Sequence, residues 1–222
     1  MFKKMIAKAQ QRKEDYQNAM EERLNDFGDP LAKKIDWSPL KGGGTNFRTH
    51  TLTEDFKRLS YKASKGAMFF AGIFAAVGVL VPVFIIYGSI GSGAEIFASE
   101  NLIAAGFGSI FAIVGLYMFK LFTTPITFDK NVGFFWRGKN TPELYGKNDP
   151  SNSVRLSDIH ALQLIAERIK SDNGSYFSFE INIITKEGER VHIVDHGNRR
   201  SIYEDAETIS KFLNVPVWDL NR

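Results

Sequence analysis

The sequence has no cysteine among its 222 residues. This absence excludes disulfide bonds, thiolate metal sites and cysteine nucleophiles. The net charge is also small, at +3, and does not indicate a nucleic-acid partner. The first 23 residues carry basic side chains but no continuous apolar core, so they do not fit a secretory signal.

Charge is missing altogether from two long stretches, residues 67–94 and residues 102–119. About 20 apolar residues in a helix are enough to cross the hydrocarbon core of a bilayer. The sequence therefore predicts a transmembrane helical hairpin over 67–122, with spans at 67–90 and 102–122. We expect the first span to direct insertion and Pro82 to kink it. The alternative is a pair of buried helices in a soluble protein.

Basic residues flank the two apolar stretches on the same side. They are Lys57, Arg58, Lys62 and Lys65 before the first stretch, and Lys120, Lys130, Arg137 and Lys139 after the second. The connector, residues 91–101, carries two glutamates and no Lys or Arg. Because cytoplasmic loops are enriched in Lys and Arg, we expect a protein of the cell inner membrane with both termini in the cytoplasm.

Small residues recur every four positions on one face of each predicted span. They are Gly72 and Ala76 in the first, and Ala104, Gly108 and Ala112 in the second. Such faces let helix backbones approach closely in lipid. We expect them to pack the hairpin, and a homo-oligomer interface is the alternative. Neither span contains Asp, Glu, Arg or His, which argues against a self-contained transporter.

Residues 1–45 are predicted to form an N-terminal amphipathic helix and a linker. Apolar residues follow helical spacing over 2–27. This helix could lie on the anionic inner leaflet, pair with another helix, or pack on the protein's own β-domain. In the linker, Lys41 precedes Gly42, Gly43 and Gly44. A phosphate-binding loop has its lysine after the last glycine, so a flexible or tightly turning linker is the better interpretation.

β-strand patterns lie on both sides of the apolar stretches. Residues 46–66 predict a β-hairpin with strands 46–52 and 56–63 and a turn at 53–55, which could join the C-terminal sheet. After the second span, hairpins are predicted around Asp129–Gly133 and around residues 186–189, with a further strand at 159–169. An amphipathic helix at 203–213 follows, and we expect residues 215–218 to pack against the sheet.

Four segments carry a resemblance to a known family: ITFDKNVGFFWRG, LSDIHALQLI, the hairpin around KEGER, and DAETISKFLNVPVW. Several strands followed by one amphipathic helix resemble the order in bacterial membrane-anchored proteins with a pleckstrin-homology-like domain. The resemblance implies a small antiparallel β-barrel or sheet domain at 123–222, closed by a C-terminal helix. Together with the transmembrane helical hairpin predicted from the apolar stretches, this gives an α+β membrane protein. Such domains are mostly binding or assembly platforms.

Candidate site residues are few. Lys130, Arg137 and Lys139 resemble the basic set by which some pleckstrin-homology domains bind lipid phosphates, and the alternative is that they only set the topology. We expect His192, Asp195 and His196 to be solvated, since their spacing on a strand and its turn does not suit a metal. The sequence indicates no catalytic residue, no metal and no cofactor.

The expected function is that of a non-enzymatic integral inner-membrane protein. Its cytoplasmic β-domain would serve as a protein-binding or assembly platform. The expected partners are membrane lipids and another membrane or cytoplasmic protein, without nucleic acid. The alternative is a sensor or binder of anionic lipid headgroups. An enzyme acting on a lipid or nucleotide is a third hypothesis, which would need paired acids or histidines in a deep pocket.

Overall fold

The computed structural model describes residues 2–143, 149, 151–171 and 174–220. The elements in chain order are α1 (Phe2–Asp26), β1 (His50–Asp55), β2 (Arg58–Ala63), α2 (Lys65–Ser92), α3 (Ser99–Thr123), β3 (Ile126–Asp129), β4 (Phe134–Arg137), β5 (Ser153–Arg155), a 3-10 turn (Leu156–Asp158), β6 (Ile159–Ser171), β7 (Gly174–Thr185), β8 (Arg190–His196), α4 (Arg199–Leu213) and β9 (Val217–Asp219).

Helices α2 and α3 form an antiparallel pair whose large apolar side chains point outward. Phe69 is 72% exposed and Ile103 is 73% exposed, and many of their neighbours are also exposed. The 28 residues of α2 extend about 42 Å at 1.5 Å per residue, which exceeds a hydrocarbon core of about 30 Å. Both helices are long and apolar enough to cross a membrane.

Small residues form the contact between α2 and α3. A Cβ added at Gly78 would lie 2.3 Å from the backbone nitrogen of Ala112, and one at Gly115 would lie 2.5 Å from that of Ala75. Gly108 is buried and packs near Val81 and Pro82. Gly108 and Ala112 therefore lie on the contact surface between the two helices, and Gly78 and Gly115 extend it.

The other predicted packing residues have different places. Gly72 is half-buried beside the ring of Phe119, and Ala104 is half-buried on α3. Ala76 is exposed on the outer surface. The reason is the helical register, because the contact surface of α2 follows residues 71, 75 and 78, one position away from Ala76.

The first sheet has five antiparallel strands in the order β1-β2-β3-β4-β5. Strand β2 pairs with β3, so that Tyr61 lies opposite Ile126. The β-hairpin before α2 is thus hydrogen-bonded to the strand that follows α3, and the helix pair is inserted between two neighbouring strands. The second sheet has the order β8-β7-β6-β9, with β9 parallel to β6 and the other pairs antiparallel.

One hydrophobic core joins both sheets to helix α4. It contains Leu59 and Phe128 from the first sheet, Ile181 and Ile183 from the second, and Ile209 from α4, all fully buried. The α+β class with antiparallel sheets is confirmed. A closed barrel is not formed, because the nine strands of the described residues divide into two sheets. The pleckstrin-homology-like resemblance stays a prediction.

The turn between β1 and β2 lies at Phe56 and Lys57 rather than at residues 53–55. Thr53 pairs with Ser60 and belongs to the strand, and its hydroxyl donates to the Ser60 carbonyl. The Asp55 carboxylate accepts from the Phe56 backbone N–H at 2.9 Å and shapes the turn. Phe56 is 90% exposed at this turn.

Helix α1 contacts the sheets through its C-terminal end. Leu24 and Phe27 pack with Trp37 and Trp218, in a second core cluster on the outer face of the second sheet. Met5, near the start of the helix, is 66% exposed. The end of α1 therefore packs on the protein's own domain, while Met5 and Ile6 near its start are exposed.

Candidate functional site at the junction of helices and sheets

Short connections join the helix pair to the first sheet. Ser64 alone separates β2 from α2, and it caps the helix by accepting from the Ala67 backbone N–H at 3.0 Å. The Ser64 hydroxyl also donates to the Arg48 carbonyl at 2.6 Å. Only Thr124 and Pro125 lie between α3 and β3. These connections fix the direction of the helices relative to the sheets.

Residues 36–49, here called the covering segment, cross the outer face of the second sheet. The backbone N–H groups of Leu40 and Lys41 donate to the buried carboxylate of Glu180, at 2.9 and 2.8 Å. The Tyr176 hydroxyl donates to the Gly44 carbonyl at 3.0 Å. The stretch that the sequence suggests as a flexible or tightly turning linker is therefore anchored along its length by side chains of the sheet.

The covering segment approaches the sheet so closely at Gly44 that only glycine fits there. A Cβ at this position would lie 2.1 Å from the Ser178 hydroxyl oxygen and 2.7 Å from Oδ2 of Asp195. Any larger residue would push the covering segment off the sheet.

A cavity of about 250 Å³ lies where the covering segment, the end of α3 and strand β8 meet. We call it the junction cavity. Its ionisable lining residues are Lys41, His50, Arg137, His192 and Asp195, and Leu121 and Phe122 of α3 form an apolar wall.

Arg137 is the half-buried cation of this cavity. Its Nη2 donates to the Ile193 carbonyl at 2.5 Å and lies 3.1 Å from Nδ1 of His192. Its Nη1 and Nε atoms have no hydrogen-bond partner within the described part of the chain. Burial lowers the pKa of Arg137, and the negative charge of Asp195 partly opposes that effect.

The contacts of Arg137 determine the tautomer of His192. A guanidinium only donates, so Nδ1 of His192 must accept, and the neutral ring carries its proton on Nε2. That atom lies 3.3 Å from Oδ1 of Asp195. Burial alone would raise the pKa of Asp195, but the contact with His192 and the nearby charge of Lys41 bring it below its usual value.

His50 and His196 are buried in the same region. Burial lowers the pKa of His50 to about 4, with a further contribution from the charge of Arg137. Burial likewise lowers the pKa of His196 to about 4, and the charge of Arg48 adds to it. Both side chains are therefore neutral near pH 7.

The prediction that His192, Asp195 and His196 are solvated is wrong for the two histidines, which are buried. Asp195 remains 28% exposed at its side chain. Two features account for the burial. The covering segment lies over this part of the sheet, and its Thr49 hydroxyl donates to the Asp195 carbonyl at 3.1 Å. His196 also belongs to strand β8 rather than to the loop after it.

A β-bulge sets the side-chain directions along β8. Ile181 pairs with Val194 and Asn182 pairs with His192, which leaves Ile193 as an extra residue. Strict alternation therefore fails at this point, and Ile193 and Val194 are both buried.

The three predicted headgroup-binding residues do not share a surface. Strand β3 runs away from the end of α3. Lys130 therefore lies in the turn at the far end of β3, about 10 Å or more from the helices. Its Nζ lies 4.3 Å from the centre of the Phe212 ring. Arg137 is half-buried in the lining of the junction cavity, and Lys139 is exposed just after β4, at the end of the sheet that adjoins the helices.

Among the described residues, no group of three or more His, Asp or Glu side chains could hold a metal ion. Comparison of the chain with protein-family models, curated proteins and solved structures finds no match.

Proposed function

We propose that the chain is a non-enzymatic integral inner-membrane protein whose α+β domain serves as a protein-binding or assembly platform on the cytoplasmic side. The observation that carries this proposal is the outward-facing apolar surface of α2 and α3. A soluble monomer rarely exposes apolar patches larger than a few hundred Å². Lipid is the solvent that suits such a surface, since both helices satisfy their backbone groups internally.

The charges at the helix ends support the orientation. Lys62 and Lys65 lie at the sheet end of α2, and Lys120 lies at the sheet end of α3. The opposite connector carries Glu95 and Glu100. With the sheet end on the cytoplasmic side, the short connections to β2 and β3 hold the domain at the membrane surface in one orientation.

Helix α1 supplies the surface that we assign to a protein partner. It has 25 residues and extends about 37 Å. Its C-terminal end is fixed to the second sheet, while Met5 and Ile6 leave apolar side chains exposed. A helix with a free apolar face can pair with a helix of another protein.

Photo-crosslinking in native membranes tests the platform proposal. A benzophenone amino acid is introduced at Met5 or at Gln17, both exposed on α1, and in a matched control at Lys186, which is exposed in the turn between β7 and β8. We expect the α1 positions to yield one discrete crosslinked protein that Lys186 does not yield. Crosslinks to lipid alone at Met5 and Gln17 would contradict the proposal.

A further inference from the structure

We propose that the junction cavity binds a phosphate group that carries one protonated oxygen, such as inorganic phosphate or the headgroup of a phosphomonoester lipid. Arg137 would bind the charged oxygens, and His50 would accept the hydrogen of the P–O–H group. This inference does not depend on the platform function or on the proposed partner surface.

The first step concerns charge. Lys41, Arg137 and Asp195 are the charged side chains of the lining, and together they carry one net positive charge. Arg137 is half-buried, and two of its donor atoms, Nη1 and Nε, lack a partner within the described part of the chain. A partly buried guanidinium is stabilised by an oxyanion that accepts from its planar donors.

The second step concerns the proton on His50. The Thr49 hydroxyl uses its only hydrogen to donate to the Asp195 carbonyl, so its oxygen accepts from Nδ1 of His50 at 2.9 Å. The neutral ring therefore has a lone pair on Nε2. That atom is buried and has no hydrogen-bond partner. A lone pair in this position needs a donor, which sulfate and phosphodiesters lack and a protonated phosphate supplies.

The third step concerns space and access. A volume of about 250 Å³ exceeds that of a single water, which is about 30 Å³ in the liquid. Lys41 is exposed at the rim, and its charge would attract an anion from solution. The apolar wall of Leu121 and Phe122 belongs to the end of α3, where a lipid headgroup would also enter.

The test uses the full chain in an uncharged detergent, with phosphate or sulfate titrated by calorimetry at constant ionic strength. We expect one phosphate per chain and an affinity for sulfate that is weaker by about tenfold or more. Lys41→Gln should weaken phosphate binding, and Arg137→Gln should abolish it. Lys139→Gln removes the same charge from an exposed site just after β4, and it should leave phosphate binding unchanged. If Arg137→Gln does not fold, the phosphate affinities of Lys41→Gln and His50→Phe test the proposal instead.

A second arm distinguishes the source of the phosphate. The full chain is placed in phosphatidylcholine nanodiscs that contain either phosphatidic acid, a monoester, or phosphatidylglycerol, a diester, and bound lipid is counted by native mass spectrometry. Selective retention of phosphatidic acid supports a headgroup site, and phosphate binding without lipid retention supports a free anion. Equal affinities for sulfate and phosphate, or equal losses in Lys41→Gln and Lys139→Gln, would overturn the proposal. Absence of binding in both arms would also overturn it.

Discussion

The helix pair and the two-sheet domain use the same apolar residue types in opposite ways. In α2 and α3, Phe84 and Phe107 point outward and the contact is made by glycine and alanine. In the domain, Phe128 and Ile183 are fully buried and form the contact themselves. Water drives large apolar side chains inward, whereas lipid removes that driving force and leaves close backbone packing as the stabilising contact.

The largest difference between the regions should appear on truncating a phenylalanine. Phe128→Ala removes a fully buried ring from the core and should reduce the free energy of unfolding by about 3–5 kcal/mol. Phe84→Ala removes an exposed ring from α2 and should change it by less than about 0.5 kcal/mol. Unfolding of the full chain in detergent, followed by tryptophan fluorescence, measures both. Equal losses would contradict the assignment of α2 to lipid.

Adding one methyl group to α2 should destabilise the helix pair where removing a large exposed ring does not. Gly78→Ala places a Cβ against the backbone of α3 and should destabilise the helix pair by about 1–3 kcal/mol. Gly88→Ala on the same helix meets nothing within 4 Å and is the matched control, expected to be neutral. Thermal loss of helical circular dichroism in detergent distinguishes them. A neutral Gly78→Ala would mean that the two helices do not pack through this surface.

Acidification should weaken the domain through its buried histidines. Unfolded histidines take up protons below about pH 6.5, whereas folded His50 and His196 stay neutral down to about pH 4. Their stabilising effect is therefore complete above pH 6.5 and is lost as the pH falls toward 4. Burial raises the pKa of Asp205 to about 6, so acidification stabilises the folded state through this group. Asp205 therefore offsets the destabilising effect of about one histidine.

The expected net loss between pH 7 and pH 4.5 is about 1–3 kcal/mol, measured as the free energy of unfolding at each pH. The double variant His50→Gln and His196→Gln should have a flatter profile over this range. An unchanged slope in that variant would show that other groups cause the pH dependence.

The smallest effect should come from the cap of α2. Ser64→Ala removes the hydrogen bond to the Ala67 N–H and should cost about 1 kcal/mol. Ser92→Ala, at the far end of the same helix, loses a hydroxyl that bonds within its own helix and should be close to neutral. Thermal unfolding of both variants in one detergent measures the difference. A cost for Ser92→Ala as large as that for Ser64→Ala would contradict a special role for the junction.

Local features of the sequence were sufficient for the helices and most of the strands. An uncharged run is visible in one stretch of sequence, and α2 and α3 lie where the runs are. The alternation over Tyr176–Thr185 and the turn after it likewise predicted the β7–β8 hairpin, in which Gly188 has φ +86°. The sequence predicts a turn at residues 53–55, whereas Thr53 and Glu54 belong to β1, because an edge strand tolerates polar residues on both faces.

The junction cavity could not be predicted in this way. Alternation along β8 indicated that His192 lies on the face opposite Val191, but not that the covering segment lies over that face. The residues that close the cavity, Lys41 and Thr49, are more than 140 positions from His192 and Asp195. Only the fold brings them together, and the bulge at Ile193 then changes the direction of the following side chains.

Labelling of introduced cysteines tests the membrane assignment most directly, because the natural chain has none. One variant carries a cysteine at Ala94, in the connector between α2 and α3, and the other carries one at Lys186 in the domain. With a membrane-impermeant maleimide on intact cells, we expect labelling at position 94 before lysis and at position 186 only after lysis. Equal labelling of both positions in intact cells, or recovery of the protein in the soluble fraction, would contradict the account.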